Sequence, residues 1–205
     1  MVTQIVRRLG RVGGMETYVW HLARELALKG VSVRIICEEM FEPVPGVDSN
    51  DVHVVGMAPP RPRWRAMRLF QSRVRNLIGM HSKYFGVIHS HERIGLHHVT
   101  TMHGPLIGPP ESLPWYRKLN RRVREWSLME RDEVLGSDVK LVCSVSKMLS
   151  AQIKTLYPTA EIANPIMWPG IESDFCESAH AVRTDKTLRI LFVGKEWKRK
   201  GLLKA

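Results

Sequence analysis

The sequence predicts an open α/β fold, a parallel sheet with helices on both of its faces. Three observations lead there. Short β-branched runs alternate along the chain with segments whose apolar residues recur at helical period. Residues 9–37, LGRVGGMETYVWHLARELALKGVSVRIIC, read as loop, helix, tight stop and strand, half of a parallel strand–helix–strand layout. Finally, polar residues, histidines among them, gather at the carboxyl ends of two strand-like runs, where open α/β sheets place their ligands.

Composition sets the bounds. The 205 residues suggest one domain, or one and a fraction, and 44% apolar with 25% charged residues suits a protein that buries a core. The formal net charge of +11 calls for an anionic partner: nucleic acid, an anionic membrane surface or a phosphorylated substrate. Three scattered cysteines, Cys37, Cys143 and Cys176, show neither metal spacing nor a disulfide framework, which suits a reducing cytoplasm. No apolar run approaches a membrane span, and the N-terminal MVTQIVRRLG lacks the apolar stretch of a secretion signal.

In chain order, VTQIV (2–6) is a short first strand. Gly13 and Gly14 then open a helix whose apolar stripe is Met15, Val19, Leu22, Ala23, Leu26 and Ala27. Gly30 stands where a C-cap glycine belongs, and VSVRIIC follows as a strand. A Gly-Gly pair lets backbone approach a ligand, and the helix after it points free N–H groups and partial positive charge at that ligand, so phosphate is the natural guest. The alternative is a glycine turn that only returns the chain to the sheet. Neither G-x-G-x-x-G nor G-x-x-x-x-G-K-[ST] is present here.

Residues 38–50 carry Pro43, Pro45 and Gly46 and read as loop, and DVHVVGM alternates as a strand does. WRAMRLFQSRVRNLIGMHSK then places Met67, Phe70, Val74, Leu77 and Ile78 at helical spacing. Arg61, Arg63, Arg65, Arg68, Arg73, Arg75 and Lys83 accompany it with no acidic residue among them. Either this is a cationic helix for an anionic surface, or its stripe faces the core. FGVIHSH and VTTM are two further strands, ending at His91 and at His103-Gly104-Pro105. With His89, His97 and His98 these make five neighbouring histidines, but no zinc-ligand spacing is present, so no metal is expected.

Residues 113–136 form one long helical pattern, with Arg117, Lys118, Arg121, Arg122 and Arg124 flanked by Trp115, Tyr116 and Trp126. Basic and aromatic residues together suit the headgroup layer of an anionic membrane. They would also suit RNA, but no RNA-recognition signature is present, so no nucleic-acid partner is expected. KLVCSVS is a strand, and Ser146 is placed to cap the helix that Pro158 stops. Residues 159–175 are strand or loop and 177–187 a polar linker. TLRILFVG is a buried-type strand, followed by the cationic loop KEWKRKG.

The ordered set GGMETYVWHLARELALKG, HSHE…TMHGP, CSVSK, PGIESDF and LFVGKEWKRKGL resembles the family 4 glycosyltransferases of the two-domain GT-B fold, over nearly the whole chain. The closest likeness is to bacterial members that glycosylate lipopolysaccharide core or phosphoinositides. The resemblance implies a Rossmann-like acceptor-side domain over 1–176, a linker over 177–187, and the first strand and phosphate loop of an incomplete donor-binding domain over 188–205. It implies transfer of a sugar from a nucleotide-sugar donor to a lipid-linked or polysaccharide acceptor, with retention of configuration and no cofactor. Gly13 and Gly14 match the glycine loop facing the donor diphosphate, and His103 matches the catalytic histidine that contacts the transferred sugar. His91 and Glu92 match acceptor-side positions. Lys195, Arg199 and Lys200 match the phosphate-holding cations, Lys195 standing where many members have arginine.

The family's Glu…Glu motif for donor sugar and ribose is not in this sequence. Little or no transfer is therefore expected of the chain alone, unless a second chain supplies the missing domain. The expected location is the inner face of the cytoplasmic membrane, peripherally. The competing readings are a non-catalytic basic module on anionic membrane or a partner subunit, and a dinucleotide enzyme. The missing glycine fingerprint argues against the second, although Glu38 and Glu39 lie near its ribose position.

Overall fold

The computed structural model describes residues 1–56, 62–81, 84–160 and 162–170, and residues 1–170 form one compact unit. The elements are β1 (Val2–Ile5), β2 (Arg8–Leu9), α1 (Gly14–Leu28), β3 (Val33–Cys37), β4 (Glu39–Met40), β5 (Val52–Val54), α2 (Arg63–Met80), β6 (Val87–Ser90), β7 (Val99–Met102), α3 (Trp115–Lys118), α4 (Arg121–Leu135), β8 (Leu141–Ser144) and α5 (Lys147–Leu156). Six strands make one sheet in the order β5-β3-β1-β6-β7-β8, and every neighbouring pair is parallel. β2 and β4 pair separately. The chain winds from β1 outward through β3 to β5, then returns to the other side of β1 with β6. This is the Rossmann-like doubly wound order. It opens a crevice beyond the carboxyl ends of β1 and β6, where the winding reverses.

Alternating side chains feed two separate cores. Ile35 packs with Val19, Trp20 and Ala23 of α1. The next residue, Ile36, packs on the opposite face with Met67, Phe70 and Val74 of α2 and Met129 of α4. The α2 stripe therefore faces the sheet, which settles the two readings of that helix in favour of the core. α1 ends as expected. Gly30 adopts φ 75°, its N–H donates to the Ala27 carbonyl, and Val31 N–H donates to the Leu26 carbonyl, the paired bonds of a Schellman cap. Ser146 caps α5, its hydroxyl accepting from Leu149 N–H at 3.2 Å.

Two expectations need correction. The long helix over 113–136 is two helices, because the Asn120 side chain accepts from Val123 N–H at 3.3 Å and starts α4 afresh. Residues 38–50 are not wholly loop: β4 lies within them and a 3-10 turn, Ser49–Asp51, begins there. Within 159–175, expected as strand or loop, residues 162–166 do run beside β8, through bridges from Leu141 to Ala163 and from Ser144 to Ile166. The linker at 177–187 and the strand and cationic loop of 188–205 lie outside the described residues.

Phe70 is fully buried between α2 and the sheet. Phe70→Ala is expected to lower unfolding stability by about 3–5 kcal/mol. Arg122→Ala, at an exposed position, should stay within about 0.5 kcal/mol. Urea unfolding of both variants checks the difference.

Candidate functional site

The crevice is built from three strand ends. After β1 the chain turns through residues 6–13 into α1, and three arginine–glutamate pairs hold that turn. Arg7 meets Glu38 at 2.6 Å and Arg11 meets Glu42 at 2.6 Å, while Arg8 pairs closely with Glu16 in the first turn of α1. Glu16 is buried and folds back over Gly13, leaving no room there for a Cβ. Gly13 itself is in extended backbone, which any residue adopts. A side chain at position 13 would have to displace the Glu16 carboxylate from its pairing with Arg8. Gly14 differs: beyond its chain neighbours and its own helix backbone, nothing stands within 4 Å of where its Cβ would be. The open side of the α1 N-terminus is at Gly14, and a carboxylate already lies over Gly13.

The face of the sheet under α1 carries a row of buried polar groups. Gln4 on β1 stands opposite His89 on β6, and Thr101 on β7 stands opposite Cys143 on β8. His89 Nε2 and Thr101 Oγ1 share a hydrogen bond of 2.8 Å. One residue past β6, His91 joins Gln4 Oε1 through Nε2 at 2.8 Å and His103 Nε2 through Nδ1 at 3.1 Å. Tyr18 of α1 covers the pair edge-on, its ring centroid 5.8 Å from that of His91 and 5.1 Å from that of His103. Burial, the first cause in each case, lowers these histidines: His89 to about 4, His103 to about 4, and His91 well below the usual 6.5. His89 and His103 depress His91 further, whereas Glu16 acts on His103 in the opposite sense. At neutral pH all three are uncharged. Glu92, beside them, moves the other way. Burial raises its carboxyl to about 7 against the pull of Arg7, whose backbone N–H reaches it at 3.4 Å.

Helix α4 fixes the loops that carry these groups. Glu130, fully buried, accepts the N–H groups of Ile107 at 3.0 Å and Gly108 at 2.8 Å, the Tyr157 hydroxyl at 3.0 Å and Arg93 Nη2 at 2.9 Å. One turn on, Glu133 accepts the N–H groups of Ile94 at 3.0 Å and Gly95 at 3.2 Å, together with the Thr100 hydroxyl. The first carboxylate ties down the loop after β7, the second the loop after β6. Sequence reading missed both, as it missed Gln4, Glu16 and Tyr18. A signal for the carboxylates was present: Glu130 and Glu133 share the buried stripe of α4 with Ser127, Met129 and Val134, where a core-facing helix ordinarily carries apolar residues.

The structure thus gathers Gly13, Gly14, His91, Glu92 and His103 around one crevice, while Lys195, Arg199 and Lys200 lie outside the described residues. Trp115, Tyr116, Arg117, Lys118, Arg121, Arg122 and Arg124 are exposed on α3 and α4, with Trp115 75% and Leu119 76% accessible. Trp126 does not belong with them. It packs against the α2 core, with the Arg93 guanidinium 5.4 Å from its ring, because position 126 falls on the inner side of α4. Among the described residues no helix is long and apolar enough to cross a membrane. Nor, among them, is any group of three His, Cys, Asp or Glu side chains placed to hold a metal ion.

A doubly wound sheet with its crevice between a glycine-started helix and two histidine-bearing strand ends defines a Rossmann-like domain of the GT-B N-terminal kind. The family model "Glycosyltransferase Family 4" matches residues 12–173, so the chain belongs to glycosyltransferase family 4. Among solved structures it is similar to WaaG, described as a glycosyltransferase involved in lipopolysaccharide biosynthesis. The TM-score is 0.69 at 16% identity, over 85% of this chain and 46% of WaaG. This chain thus spans about half the length of that relative. No curated protein sequence matches it.

The histidines make stability depend on pH with a definite sign. Their folded-state values lie below 6.5, so the unfolded chain takes up protons first as pH falls. Their contribution is complete above about 6.5 and is lost toward 4, by about 1.4 kcal/mol per pH unit at most for each histidine. Glu92, raised from 4.5 to about 7, contributes below 4.5 and loses that contribution as pH rises to 7, so it offsets part of the slope. Denaturant unfolding from pH 7 to 4.5 should show stability falling on acidification, more steeply in Glu92→Gln.

Proposed function

We propose that this chain is the acceptor-side part of a glycosyltransferase that moves a sugar from a nucleotide-sugar donor to a cell-envelope acceptor with retention of configuration. The observation that carries this reading is the convergence of the open α1 N-terminus at Gly14 and the uncharged His103 on one crevice in a family 4 chain. Departure of a nucleoside diphosphate builds negative charge, which an exposed helix N-terminus stabilises without reorganising. Gly14 borders that N-terminus, with Gly13 behind it. An uncharged His103 hydrogen-bonds the transferred sugar rather than titrating during turnover. His91 and Glu92 lie on the acceptor side, with Lys195, Arg199 and Lys200 holding the donor phosphates. A donor-binding domain is required for turnover, supplied by the same polypeptide or by a second chain, and no cofactor is needed. The likeness of the fold to WaaG supports a lipopolysaccharide-type acceptor.

The α3–α4 surface supports a place for the reaction at the inner face of the cytoplasmic membrane. Trp115, Tyr116 and Leu119 stand out beside Arg117, Lys118, Arg121, Arg122 and Arg124, a combination that suits the headgroup layer of anionic lipid. Arg121 also sits 5.1 Å from the Trp64 ring of α2, so this part of the surface lies against a second helix.

Two measurements test these readings. Native protein isolated from its own cells should transfer sugar from a panel of nucleotide-sugars, and His103→Ala should slow it roughly tenfold or more, the worth of one hydrogen bond made in the transition state. Absence of transfer from every donor would sink the enzymatic reading. Arg121→Glu with Arg124→Glu should weaken sedimentation with anionic vesicles roughly thirty-fold or more, at about 1 kcal/mol for each basic residue. Unchanged binding would remove α4 from the membrane contact.

A further inference from the structure

The polar row under α1 assigns protons as well as positions. With the Gln4 amide oxygen turned to His91, Oε1 can only accept, so His91 donates to it from Nε2 across 2.8 Å. A neutral imidazole carries one proton, so His91 Nδ1 holds a lone pair. The 3.1 Å contact between His91 Nδ1 and His103 Nε2 is then a bond that His103 donates. His103 Nδ1 is left with a lone pair and takes no hydrogen bond from any described residue. In this orientation Gln4 Nε2 is buried without a hydrogen-bond partner, and the opposite orientation, with Nε2 donating to His91, would put the His103 proton on Nδ1 instead.

We propose that Gln4 and His91 are positioning residues that lock His103 in the tautomer with its proton on Nε2, leaving its Nδ1 lone pair to accept a hydrogen bond from a substrate hydroxyl. The proposal rests on the glycosyltransferase reading for the identity of that hydroxyl, but not for the tautomer. Each member of the chain is held by a separate element. Gln4 is in the central strand β1, fully buried. His91 is 5% exposed, with its backbone N–H donating to the Ile5 carbonyl at 3.0 Å. Tyr18 closes over both rings from α1. A sugar hydroxyl that donates finds a ready acceptor at His103, whereas a group that only accepts finds no donor at Nδ1. His103 therefore selects hydroxyl-bearing substrate and does not act as a proton source at neutral pH. His89 stands apart from this chain, since its Nε2 bonds to Thr101.

Long-range proton–nitrogen NMR on the full chain with labelled histidine tests the assignment directly. Signals are assigned to His91 and His103 through His91→Asn and His103→Asn. Near neutral pH both rings should show a protonated Nε2 and a lone-pair Nδ1. Gln4→Leu removes the acceptor, so His91 should lose its single tautomer and His103 should become a mixture, in a chain whose backbone spectrum stays that of a folded protein. The wild-type spectrum is decisive even where Gln4→Leu does not fold. A protonated Nδ1 on His103, a charged ring, or a His103 tautomer indifferent to Gln4→Leu in the folded chain overturns the relay. Sugar transfer by a protein whose His103 carries its proton on Nδ1 would sink the relay alone. The expected tautomers in a protein that transfers no sugar would leave the relay standing and sink the enzymatic reading.

Discussion

Two carboxylates without access to water, Glu130 and Glu133, hold the crevice together. Burying a charge costs several kcal/mol unless donors surround it, and here they do. Backbone N–H groups of Ile107 and Gly108 converge on Glu130, with Arg93 and Tyr157 completing its shell. Those of Ile94 and Gly95 converge on Glu133. Loops after parallel strands have no ladder partners for these groups, so one turn of α4 supplies what the sheet cannot. The histidine-bearing loops inherit the rigidity of that helix, and the hydrogen bond between His91 and His103 depends on both loops being fixed at once.

The same economy of charge runs through the other side of the crevice. Arg7, Arg8 and Arg11 follow β1 in quick succession, yet each meets a glutamate from a different segment. They hold the glycine turn in shape and do not merely present positive charge to a ligand. Glu16 adds a carboxylate in the first turn of α1, where the helix dipole favours it. The crevice is consequently less cationic than the sequence of this turn suggests.

Charge balance between interior and surface follows from this. Glu16, Glu38, Glu130 and Glu133 are all buried, so only part of the 20 Asp and Glu residues faces solvent. The basic residues of α3 and α4 remain exposed beside Trp115 and Leu119. A positive, partly apolar surface on one side of the domain thus results from where the carboxylates went as much as from the number of arginines. Trp126 shows how narrow the division is. A position one helical step from exposed arginines packs, half-buried, against the core.

The sequence by itself determined the chain order of the six strands of the main sheet, the glycine start and C-cap glycine of α1, the cap of α5, and the strand ends bearing His91 and His103. Each is local: period, capping chemistry and turn residues act within a few positions. Family motifs in the right order extended this to the doubly wound class. Only the tertiary structure decided which face of α2 is buried, where the 113–136 pattern breaks, and what surrounds the histidines. Those depend on partners far apart in the chain, such as Gln4 and His91, or Ile107 and Glu130. No spacing rule connects them. The roles of Gln4 and Glu130 come from the parallel pairing of β1 with β6 and from α4 packing behind both loops, and a chain read residue by residue contains neither contact.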